Sequence, residues 1–72
     1  MKVEYHAEIM QMFEPLYQSW MSEADKEEFV IELIATQGKT LDIMNSEIKT
    51  GIANGHPVSK QVSIVRSMMS LS

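Results

Sequence analysis

Two histidines, ten carboxylates and a scatter of serines are the side chains that could do chemistry in this 72-residue sequence. Glu4, His6 and Glu8 form the tightest group, and a Glu-His-Glu set can in principle ligate zinc. On a helix, however, residues two apart point in different directions, so only Glu4 and Glu8 share a face. A solvated N-terminal turn is the expected reading. His56 stands beside Pro57 in a turn with no carboxylate close in sequence, so proton transfer through it would need a partner from another helix. Ser59, Ser63 and Ser67 recur every four residues, which marks a polar helix face. Neither they nor Ser70 and Ser72 sit in a nucleophile-elbow context. The polar groups do not converge as catalysis requires, so a non-enzymatic protein without catalytic residues, cofactor or metal is expected.

Apolar chemistry is the richer signal. Phe13, Tyr17 and Trp20 form an aromatic cluster that could line a pocket or an interface, where aromatic anchors dominate binding energy. Plain core packing is the competing reading. Met10, Met12, Met44, Met68 and Met69 are read in the same way, as core or dimer seam first and as ligand groove second, because methionine fills irregular cores and also lines adaptable surfaces. The expected partner- or ligand-binding face is therefore Phe13, Tyr17, Trp20, Met44, Met68 and Met69.

The elements that must position these residues are helical. The stretch from Ser22 to Gly55 organises the chain. Ser22 is a good N-cap, with Asp25 placed to complete a capping box. Glu23, Asp25, Glu27 and Glu28 crowd the first turns, where the helix dipole favours carboxylates. Val30, Ile34, Leu41, Met44, Ile48 and Ile52 follow a three-to-four-residue rhythm, with Gln37 filling one place. Asn54-Gly55 offers a left-handed C-cap, and Pro57 cannot continue the helix. Gly38 could instead cap a first helix, with Thr40 starting a second. The seam stays in phase across Gly38, and this predicts one helix over about 23–54, with a kink or a break at Gly38 as the alternative.

Before it, Ile9, Met10, Phe13, Leu16, Tyr17 and Trp20 form a helical stripe over about 3–20. Pro15 interrupts this stripe by removing a backbone donor and restricting Glu14. A kinked or broken helix packing as one unit is expected. After it, Ser59 is a plausible N-cap for a helix over about 60–71 whose face holds Val62, Val65, Met68 and Met69, with Ile64 and Leu71 on a flank. The predicted fold is a single all-α domain, a three-helix up-down-up bundle.

Composition narrows the partners. A chain this short buries only about 60% of the surface its unfolded form exposes, and it has no cysteine to staple it. Apolar residues make up 44% of the chain and include seven methionines, which favours a homodimer. The net charge of −4 argues against nucleic acid, which needs a basic patch. Residues 1–36 hold eight acids against Lys2 and Lys26. Residues 37–72 hold Lys39, Lys49, Lys60 and Arg66 against Asp42 and Glu47. That asymmetry suits antiparallel pairing of two copies, although solvated charge accounts for it equally well. No apolar run reaches the ~20 residues of a bilayer span, and no signal-peptide pattern is present, so a cytoplasmic location is expected.

The segment from Ser22 onwards resembles the effector domains of TipAS-type regulators in the MerR family. The resemblance rests on the acidic helix start Ser22-Glu23-Ala24-Asp25, then Gly55, Pro57, Ser59, Val62 and Val65, and covers roughly fifty residues. Met69 stands where the family usually has a bulky aromatic, Ser72 where it has an apolar residue, and His56 where an acid precedes the proline. The resemblance implies a sensor of apolar, drug-like small molecules, with a second copy needed to complete the fold. Independently of it, the helices carry more apolar stripe than a small monomer easily hides. The expected function is thus a non-catalytic regulatory or interaction module that binds a protein partner, or itself, through a Met- and aromatic-lined helical face. The alternative is the small-molecule sensor.

Overall fold

Ser22 begins the best-defined helix start in the structure, a computed structural model that describes residues 3–69. Lys2, Ser70, Leu71 and Ser72, named above, lie outside the described residues. The Ser22 hydroxyl accepts from the Asp25 amide at 3.2 Å and the Asp25 carboxylate accepts from the Ser22 amide at 3.1 Å. This reciprocal pair satisfies two otherwise orphaned donors and opens α2, Glu23–Ala35.

The chain is all-helical among the described residues, with four α-helices where the spacing predicts three. They are α1 (His6–Met12), α2, α3 (Leu41–Ala53) and α4 (Val58–Met68), with a short 3₁₀ turn at Glu14–Leu16. The favoured single helix across Gly38 does not form, and the alternative, a cap at Gly38 with Thr40 starting a second helix, is the arrangement found. Gly38 adopts φ +73°, its amide donates to Ala35 O and the Lys39 amide reaches Ile34 O, each at 3.0 Å. Those two bonds satisfy carbonyls that a helix end leaves open. Thr40 then takes extended geometry, and its hydroxyl caps the Ile43 amide to start α3. The same device closes α3. Gly55 has φ +95°, its amide donates to Ile52 O, and His56 donates to Gly51 O.

The stripe across Pro15 also divides. Pro15 occupies the first turn of the 3₁₀ element, where a missing donor costs least. The change of path turns Leu16 and Trp20 outward, so the 3–20 segment does not pack as one helix. Helix α4 starts at Val58 rather than at 60. Pro57, at φ −60° and ψ 151°, is its cap residue and Ser59 lies inside the first turn.

One core joins these elements. Ile9, Met12 and Phe13 of α1 and its C-cap meet Val30 and Ile34 of α2, Met44 and Ile48 of α3, and Val65 and Met69 at the far end of the chain. Each large aliphatic buried there contributes about 1.5–3 kcal/mol of transfer free energy. Helices α3 and α4 share the closest packing, α1 lies against both, and α2 rests on α1. A polar tie reinforces this, since the Tyr5 amide donates to Asn45 Oδ1 of α3 at 2.8 Å. Among the described residues no helix is long and apolar enough to cross a membrane.

Candidate binding groove between α3 and α4

Helices α3 and α4 approach closely because Gly51 has no side chain. Gln61, only 8% exposed, lays its side chain over that glycine and donates from Nε2 to Glu47 O at 3.0 Å. Glu47 is held in turn by an ion pair with Lys39, which reaches across from the α2–α3 connection. Gly51, Gln61 and Val65 thereby form the floor of an open groove of about 630 Å³. Its walls are Ile43 of α3 and Ile64 and Met68 of α4, which are 42%, 36% and 62% exposed. Ser46, Thr50 and Asn54 give it a polar rim along α3, and Asp42 and His56 mark its two ends.

A second cleft, of about 570 Å³, lies around Tyr17 with Met10, Met21, Glu23 and Lys26. Here the phenol acts as a tether. Its hydroxyl donates to Met10 O, its ring meets Phe29 edge-on at 6.1 Å, and the Lys26 ammonium sits 5.3 Å above it. Burial, followed by the charges of Glu23 and Glu14, pushes the Tyr17 phenol up to about 12. Tyr17 thus links the 3₁₀ turn to α1 and α2.

The residues expected to form one binding face are not brought together. Phe13, Met44 and Met69 are buried in the core, where no partner reaches them. Tyr17 lines the polar cleft, Trp20 stands 71% exposed in the loop before α2, and Met68 alone lines the α3–α4 groove. The apolar surface there is aliphatic, built on Ile43 and Ile64. Ile64, a flank residue by the spacing of the sequence, stands on the groove wall because α4 buries its Gln61–Val65 edge instead of a broad face. Gly51 carried the available signal, since a glycine inside a helical pattern often marks close packing. The N-terminal Glu-His-Glu group also disperses. Glu4 pairs with Lys49 at 3.6 Å, and His6 Nε2, buried and without a hydrogen bond, faces Glu27 at 3.7 Å.

No protein-family model matches the chain, and neither a curated protein nor a solved structure matches it.

Proposed function

We propose that this protein is a non-catalytic interaction module whose α3–α4 groove receives the apolar side of a protein segment. The observation that carries this reading is the gathering of Ile43, Ile64 and Met68, three exposed large aliphatics, on the walls of one groove. Singly scattered apolar residues are ordinary on a surface, whereas a contiguous patch with a polar rim is characteristic of a recognition site. The floor is pinned by the Gln61–Glu47 and Lys39–Glu47 contacts, so docking would need little reorganisation. Aliphatic walls at helical spacing suit an amphipathic helix laid into a groove.

The test is fluorescence of an anilinonaphthalene sulfonate probe in dilute solution. Enhancement by the wild type is expected, with loss in Ile64→Glu and Met68→Glu and retention in Leu16→Glu and Trp20→Glu, all with unchanged circular dichroism. Full enhancement in both groove variants would contradict the reading. A large rise in Tm with an apolar small molecule alone would shift the assignment towards ligand sensing.

A further inference from the structure

Beyond the Asp42 end of the groove lies a smaller cleft of about 260 Å³, which Asp42 also lines, together with Ile31 and Ala35 of α2 and Leu41. Ile31 is 44% exposed. Asp42 is thus shared by the two clefts, with Ile31 on the far one and Ile43, Ile64 and Met68 on the groove.

Charge is unevenly spread along the groove. The end near α2 carries exposed Asp42, and the Lys39 that lines the same cleft is already paired with Glu47. Helix α4 contains no acid and carries Lys60 and Arg66. Lys60 is exposed and falls on the same stripe as Ile64 and Met68, at four-residue spacing. The Gly51–Gln61 contact sets the level of α4 against the antiparallel α3. At 1.5 Å per residue, Asp42 lies roughly 13 Å from that contact in one direction and Lys60 about 2 Å from it in the other. The midpoint falls near Glu47 and Val65, beside Ile64.

We propose that the occupant of the groove is a second copy of this chain, related by a two-fold axis passing near Ile64. This rests on the groove reading above. Such an axis sets Lys60 of each copy against Asp42 of the other, brings the two Ile64 side chains together near the centre, and lays Ile43 and Met68 of each copy towards the Gly51–Gln61 level of the other. A surface with an acid and a base on opposite sides of a central Ile64 carries its own complement under two-fold rotation. An unrelated partner would have to supply both charges at that same separation.

The test is light scattering behind size exclusion over a dilution series of the full chain. The wild type is expected at twice the 8.2 kDa chain mass when concentrated, dissociating on dilution. Lys60→Glu and Asp42→Lys each set like charges together twice per dimer and should weaken association by about tenfold or more. Lys60→Glu combined with Asp42→Lys should restore it, and Ile64→Glu should give monomer, with circular dichroism confirming that each variant is folded. A mass of 8.2 kDa at every concentration would overturn the proposal, as would a dimer indifferent to both charge changes. Neither result touches the groove reading, which stands or falls on the probe fluorescence.

Discussion

Gln61 lies across Gly51 so closely that a Cβ on the glycine would stand 1.9 Å from both Gln61 Cδ and Oε1. No side-chain carbon tolerates that distance, so Gly51→Ala must expel Gln61 from its buried place and break its bond to Glu47 O. Alanine gains roughly 1 kcal/mol of helix propensity over glycine. Overpacking costs about 1–3 kcal/mol and the lost hydrogen bond about 1 more. Gly51→Ala is therefore expected to destabilise by about 1–3 kcal/mol in urea denaturation. Gly51→Ala with Gln61→Ala should recover most of that loss, and additivity of the two changes would contradict the contact.

Gly38 poses a different problem. Nothing lies within 4 Å of a Cβ added there, but its φ is +73°, a left-handed geometry that costs an L side chain about 1–2 kcal/mol. Gly38→Ala should lower stability by about 1 kcal/mol, and Gly38→Asn by less. A stabilising Gly38→Ala would mean that α2 and α3 join into one helix.

Phe13 and Trp20 should separate sharply. Phe13 is fully buried in the core and Trp20 is 71% exposed. Phe13→Ala is expected to cost about 3–5 kcal/mol, most of the stability of a domain this small. Trp20→Ala should fall within ~0.5 kcal/mol, and the wild-type indole should emit at the long-wavelength position of a solvated tryptophan. A blue-shifted emission or a costly Trp20→Ala would place that ring in the core.

Tyr17 predicts a pH dependence. Its phenol is pushed up from 10.0 to about 12, so between those values the folded chain keeps a proton that the unfolded chain has lost. Stability from this group is whole below pH 10 and declines as pH rises towards 12. The stability advantage of wild type over Tyr17→Phe should shrink across that window, measured by urea denaturation at each pH. A constant difference would remove the phenol from its buried tether.

Much of the core was legible because it depends on spacing alone. Ile9, Phe13, Val30, Ile34, Met44, Ile48 and Val65 recur at helical intervals and are buried. The break at Gly38, open in the sequence as the alternative with Thr40 starting a second helix, was disfavoured by the same signal. Two helices that each turn one face to a common core produce the residue rhythm of a single long helix. Gly55 uses the same pair of bonds as Gly38, but Pro57 announces the stop there and no proline follows Gly38. The groove was less legible. Met68 is the one expected face residue on its walls, because helical periodicity does not distinguish the buried side of a stripe from its exposed neighbour. Trp20 and Leu16 left their stripe when Pro15 changed the path of the chain. The role of Gly51 depends on Gln61, ten residues away on another helix, a pairing that only the packing of α3 against α4 reveals.

The measurement that tests the central claim most directly is a map of backbone amide shifts, recorded on the isotope-labelled full chain as the anilinonaphthalene sulfonate probe is added in dilute solution. Binding in the α3–α4 groove predicts shifts concentrated at Ile43, Glu47, Gln61, Ile64 and Met68, with the amides of Gln18 to Met21 unmoved. Shifts gathered around Tyr17 and Trp20, with the groove silent, would contradict it.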